Sequence, residues 1–221
     1  WKKKTLHLFD TAGLRRKSRV ANKLEKASGN DTWRAVRFAH VVVLVVDASM
    51  ILERQDLNIA RLVIEEGRSL LIAVNKWDLI RNKNKAIKEL QGRVKTSLPQ
   101  VKDIPYVPIS ALEKTNLDIL IERTFAIYEV WNQRVPTAKL NRWFEAIVER
   151  HPPPLVQGRR LKLRYITQIK TRPPSFACFC NQPDQVPESY KRYVINELRK
   201  QFTLPGVPIR LLMKTSKNPF A

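Results

Sequence analysis

The chain of 221 residues carries 41 Lys and Arg against 20 Asp and Glu, a net charge of +21, with 43% hydrophobic residues and two cysteines. That composition excludes general disorder, a disulfide framework and a Cys-rich zinc site, and charges break every apolar run well before the ~18 residues of a membrane span. What remains is a soluble protein of a reducing, cytoplasmic setting, with no membrane partner, whose pI near 10.4 calls for a polyanion, most simply nucleic acid.

In chain order, 5–9 reads as a strand near a sheet edge, and 41–46 is a continuous branched-apolar strand ending in Asp47. Residues 54–66 form a helix with Leu57, Ala60, Leu62, Val63 and Ile64 on one stripe, stopped by Gly67. A second apolar strand, 70–74, ends in Asn75; a helix over 86–98 stops at Pro99, a short strand spans 106–109, and a helix runs over 117–131. This alternation predicts a doubly wound, mainly parallel α/β sheet, in which ligands bind beyond the carboxyl ends of the strands. Val135-Pro136-Thr137 is a polar hinge, so the domains are expected at 1–135 and 136–221. The first carries 25 basic and 15 acidic side chains, the second 16 and 5, so positive charge is denser in the second.

Within 136–221, a helix over 137–150 turns Leu140, Phe144, Ile147 and Val148 inward behind an N-cap at Thr137, and His151 to Pro154 forms a rigid connector. Strands at 161–169 and 175–180 flank the Thr171 to Pro174 turn, a helix over 189–202 buries Tyr193, Val194, Leu198 and Phe202, and a strand closes the domain at 207–213. The α-β-β-α-β order fits a small α+β, KH-like fold. Cys178 and Cys180 share one strand face as packed thiols, and His7, His40 and His151 have no partners at metal-ligand spacing.

Three short segments follow the strands: Asp10-Thr11-Ala12-Gly13, Asn75-Lys76-Trp77-Asp78 and Ser110-Ala111-Leu112. D-x-x-G arises readily by chance and N-K-x-D rarely; their order on one rim of a sheet supplies the specificity. A carboxylate at a strand end, Asp10, can hold Mg²⁺ through water, and the Gly13 amide can donate to a terminal phosphate. Asp78 can accept from guanine N1–H and the exocyclic amine, where adenine would leave its charge unpaired. Asn75 would tie neighbouring loops together, the stem of Lys76 would lie on the base, Trp77 would support the loop, and the Ala111 amide would meet the guanine carbonyl oxygen. The structural alternative is that Asp10 and Asp78 merely cap the helices that follow.

These segments resemble the third, fourth and fifth signature boxes of translation-factor-type P-loop GTPases. Lys162-Leu163-Arg164-Tyr165, Thr171-Arg172-Pro173-Pro174, Ser189-Tyr190-Lys191-Arg192-Tyr193 and Gly206-Val207-Pro208-Ile209-Arg210 resemble the C-terminal domain of the bacterial Der (EngA) double GTPases. The resemblance implies a second GTPase domain plus a KH-like domain, with the family's first GTPase domain outside this chain. It also implies a monomeric GTPase binding GTP or GDP with Mg²⁺, activated by K⁺ in the complete protein, and assisting assembly of the large ribosomal subunit through its rRNA, without DNA specificity.

The sequence contains no G-x-x-x-x-G-K-[ST], so the P-loop residues are not named, and this chain alone is expected to bind nucleotide poorly. Leu14 stands where many GTPases place a water-orienting Gln, and Arg15, Arg16 and Lys17 follow it. No G-x-x-G clamps nucleic acid in the second domain. Lys162, Arg164, Lys170, Arg172, Lys191, Arg192, Arg199 and Lys200 are therefore the candidates for rRNA phosphates or for packing against a GTPase domain. The competing function is a non-catalytic RNA- or ribosome-docking module on a GTPase-like scaffold.

Overall fold

A computed structural model describes residues 1–10, 35–156, 158 and 160–215, and the chain divides into two units, Trp1–Tyr128 and Glu129–Ala221. The first holds β1 (Val41–Asp47), α1 (Arg54–Glu65), β2 (Ser69–Asn75), a 3₁₀ turn at Trp77–Leu79, α2 (Lys83–Ser97), β3 (Tyr106–Pro108) and most of α3 (Leu117–Trp131). The strands lie in the order β1-β2-β3, all parallel, with Val41 opposite Ser69 and Ile72 opposite Tyr106.

Between its end residues Ser69 and Asn75, central β2 is apolar because both its faces are covered. Leu70, Ile72 and Val74 pack with Ala60 and Val63 of α1 and Ala86 and Leu90 of α2. Leu71 and Ala73 pack on the opposite face with Val107 and Ile109, beside Leu117 and Leu120 of α3. Each fully buried Leu or Ile here contributes about 1.5–3 kcal/mol relative to exposure. Helices on both faces of a parallel sheet are the doubly wound arrangement expected of this sequence.

Local chemistry fixes the element ends. The Glu53 amide donates to Asp56 Oδ2 at 3.0 Å as α1 begins, and Gly67, at φ 74°, lets its own amide reach Ile64 O and that of Arg68 reach Val63 O, closing α1. Helix α2 starts three residues before the apolar pattern because Asn82 Oδ1 accepts from the Lys85 amide at 3.0 Å. The expected strand at 5–9 does not form: its residues are exposed, Leu8 at 86%, and no described residue pairs with them. Alternation alone makes no strand without a neighbour to accept its ladder.

The second unit runs α4 (Thr137–Arg150), β4 (Leu163–Lys170), β5 (Ser175–Cys180), a 3₁₀ turn at Pro183–Gln185, α5 (Glu188–Gln201) and β6 (Arg210–Thr215). Central β5 pairs antiparallel with β4 and parallel with β6. Leu140, Phe144 and Ile147 of α4 and Val194 and Leu198 of α5 are buried, as are Ile166, Phe176 and Cys178 on the sheet. Two details correct the sequence reading. Extended Pro136 caps α4 with no side-chain bond, so Thr137 is already helical. On α5 the buried ring is Tyr190, whose hydroxyl donates to His151 O at 2.8 Å, whereas Tyr193 and Phe202 are half-buried.

Both cysteines are buried and form no disulfide, and burial pushes the Cys178 thiol up to about 12. Among the described residues no group of three or more His, Cys, Asp or Glu could hold a metal ion, and no helix is long and apolar enough to cross a membrane.

Candidate functional site

Because β1, β2 and β3 are parallel and in register, the loops after them open on one rim of the sheet. Asn75, the last residue of β2, joins all three. Its carbonyl accepts from the Ala48 amide at 2.9 Å, beyond β1. Its side-chain Oδ1 accepts from the Lys76 amide at 2.8 Å and the Ala111 amide at 3.0 Å, beyond β3. The Trp77 amide adds a bond to Ile109 O at 3.0 Å, and its half-buried ring packs against the core beneath the turn. One short carboxamide thus fixes the spacing of two loops, which is why Asn, with its oxygen one carbon from the backbone, suits the strand end.

The third loop is closed by its own bonds. Ser110 and Thr115 exchange backbone bonds at 3.3 and 2.9 Å, and buried Ser110 Oγ accepts from the Glu113 amide at 3.1 Å. Ala111 and Leu112 are left exposed at the tip, Leu112 at 88%. The Ala111 amide, expected to face a guanine carbonyl oxygen, is engaged by Asn75 here.

Lys76 sits in the left-handed region, φ 63°, and its Nζ lies 2.7 Å from Asp47 Oδ2. The Ser49 amide and hydroxyl donate to Asp47 Oδ1 at 2.9 and 2.7 Å. The hydrogen bond from the Lys76 ammonium, followed by that from Ser49, holds the Asp47 carboxyl down at about 2, against 3.8 ordinarily. Asp47 and Ser49 belong to this site, yet the sequence reading assigned them nothing. The signal available was a carboxylate ending a buried strand.

Asp78 lies in the 3₁₀ turn, exposed, and no ion pair engages it among the described residues. A helix-capping role for it is excluded, since Asn82 caps α2. Asp10 is exposed; Thr11, Ala12, Gly13, Leu14, Arg15, Arg16 and Lys17 lie outside the described residues. A cavity of about 260 Å³ lined by Ser49, Leu79, Asn82 and Lys85 opens on the α2 side of the turn and includes none of the box residues.

The eight basic candidates of the second unit separate. Lys162, Arg164, Lys170, Arg172 and Arg192 are exposed, Arg164 at a register shift of β4 between Leu163 and Tyr165. Lys191 and Lys200 pair with Glu188 and Glu197 at 2.6 and 2.9 Å. Arg199 corrects the sequence reading: it is 4% exposed, and its Nη1 donates to Leu204 O and Val207 O at 2.8 Å each. It ties the turn before β6 to α5 and offers no surface to RNA.

Over 28–149 the chain matches the family model of the Elongation factor Tu GTP binding domain, and over 134–214 that of the KH-domain-like of EngA bacterial GTPase enzymes, C-terminal. A parallel sheet with Asn75–Asp78 and Ser110–Leu112 on its rim, followed by a KH-like α+β unit, defines a translation-factor-type GTP-binding domain with a C-terminal KH-like domain. Over its full length the chain is 51% identical to GTPase Der of Brucella abortus and 52% to that of Mesorhizobium japonicum, and 53% to that of Bartonella henselae. It covers 46% of each, so it spans about half the length of the curated relatives it matches. The chain belongs to the Der, or EngA, family of GTPases, and its matched segments are a GTP-binding domain and the C-terminal KH-like domain.

Proposed function

We propose that this chain is the guanine-recognising and RNA-facing part of a GTP-hydrolysing switch that assists assembly of the large ribosomal subunit. The observation that carries the reading is the Asn75 clasp, which holds the Asp78 turn beside the Ala111 loop with the Asp78 carboxylate exposed and, among the described residues, without an ion pair. In this reading Asp78 accepts two guanine N–H bonds, the Lys76 stem covers the base while Asp47 holds its ammonium, and the guanine oxygen competes with Asn75 for the Ala111 amide. Leu112 forms the rim beside Ala111. Mg²⁺ supplies charge neutralisation for the phosphates when bound, and Asp10 would hold it through water. One exposed carboxylate suits an ion that keeps most of its water shell. Thr11, Ala12 and Gly13 would face the terminal phosphate, K⁺ would assist hydrolysis in the complete protein, and Leu14 leaves water activation to groups other than a Gln.

Calorimetric titration of the full-length protein with GTP, GDP and ATP tests the nucleotide half. Guanine nucleotides are expected to bind and ATP not to, and with the first GTPase domain inactivated Asp78→Asn is expected to remove that preference. Retained selectivity in the Asn variant of a protein whose first GTPase domain is inactivated would overturn the assignment of Asp78. The RNA half rests on the exposed bases of the KH-like unit, the net charge and the ribosome-assembly role that the family resemblance implies.

A further inference from the structure

Helix α2 buries Ala86 and Leu90 and half-buries Ile87 and Val94. Opposite them, Lys85, Lys88, Gly92, Lys95 and Thr96 are all exposed and fall within an arc of about 100° at 3.6 residues per turn. The one acidic residue of the helix, Glu89, is held by Arg93 at 3.2 Å, and Arg93 also donates to Leu52 O at 3.2 Å. No ion pair or hydrogen bond engages the ammonium groups of Lys85, Lys88 or Lys95 among the described residues. The ridge is thus a row of uncompensated positive charge.

Gly92 stands in the middle of that row. A Cβ placed on it would meet nothing within 4 Å, and its backbone is ordinary helix. Glycine in a helix interior is destabilising relative to alanine. Nothing among the described residues requires it here, whereas a surface that approaches the helix backbone from outside would.

We propose that the outer ridge of α2 docks the phosphate backbone of double-stranded RNA, Lys85, Lys88 and Lys95 reaching phosphates while Gly92 admits the closest approach of the strand. Lys85 and Lys95 stand about 15 Å apart along the axis, enough to follow one strand past more than one phosphate. Lysines without arginine forks or aromatic rings match a contact that reads backbone and not bases. A-form RNA offers a wide, shallow minor groove recognised by shape and phosphates, which a ridge notched at its centre can lie against. A membrane surface is disfavoured because the ridge has no apolar side chain to insert and the apolar face of α2 is already packed. The inference deepens the RNA half of the proposed function and is independent of its nucleotide half.

The test is fluorescence anisotropy of the full-length protein with a labelled RNA duplex of about 16 base pairs, titrated at several salt concentrations. Changing Lys85, Lys88 and Lys95 together to Gln is expected to lower the slope of log affinity against log salt by about 3, about 1 per lysine. Gly92→Leu, which adds bulk without charge, is expected to cost at least the affinity that one lysine does. If the α2 variants bind like the unaltered protein while Lys162→Gln/Arg164→Gln loses affinity, this proposal falls and the RNA reading stands. An unaltered protein that binds no duplex at low salt overturns both. Equal, equally lysine-dependent binding of the DNA duplex of the same sequence, or of phosphatidylglycerol vesicles, overturns the RNA assignment. Gly92→Ala and Gly92→Leu should melt at or above the unaltered temperature; a lower melt would show that the fold itself needs the glycine and would overturn the premise.

Discussion

Asp47 ends a strand of branched apolar residues and is held at about 2 by Lys76 and Ser49. Its folded value lies below the ordinary 3.8, so the stability it contributes is fully present above about pH 4 and is lost as the pH falls through about 2. Denaturant titrations at pH 5 and pH 2.5 should therefore show Asp47→Asn less stable than the unaltered chain at the higher pH, with the gap closing at the lower. Exposure of Lys76 keeps the effect modest. Asn75 and Asp78 were legible in the sequence because their spacing is itself the signal. Asp47 was not, because its partner Lys76 comes from the next strand's loop, a pairing that exists only once β1 and β2 lie in register.

At the scale of elements, most of the parallel sheet could be read from apolar runs, because a strand covered on both faces has no polar alternation to obscure it. The misses have local causes. The polar first turn of α2 hid its start, which a cap and not periodicity sets. Arg199 looked like surface on charge alone, since long cationic side chains are usually exposed; its two carbonyl acceptors become visible only when the turn after α5 folds back. Arg199→Met is expected to destabilise the second unit by about 1.5–3 kcal/mol, the range for hydrogen bonds to a charged group. It should leave the salt dependence of RNA binding unchanged, a combination that thermal melts and anisotropy read separately. Gln168, 3% exposed, accepts from the Val135 amide at 2.7 Å and donates to Gln133 O at 3.0 Å. A domain cut at 136 would remove both partners. The segment 129–221 should melt as one cooperative unit and at a higher temperature than 136–221, and equal melts would favour the boundary at 135/136.

For the whole molecule, +21 of net charge predicts strong, salt-sensitive attraction to polyanions. The exposed residues Lys162, Lys170 and Arg172 can each contribute about one unit of slope in a log–log salt titration. The ion-paired Lys191 and Lys200 should contribute less, and Glu188→Gln should raise the contribution of Lys191, which anisotropy of the variants would show. Total charge was plain from composition, but its division into surface, paired and interior groups depends on which carboxylates and carbonyls the fold brings near.

The thiols of Cys178 and Cys180 lie wholly inside the KH-like unit, and the ionisation that alkylating reagents need is suppressed at Cys178 by its burial. They are consequently built-in clocks. Under native conditions each can be labelled only during the rare moments when the central strand is uncovered, so the labelling rate measures how often this unit opens. A ligand bound across the unit would slow that clock by the amount it stabilises the closed form. Its grip could then be read by mass spectrometry on the unmodified chain, with no engineered probe.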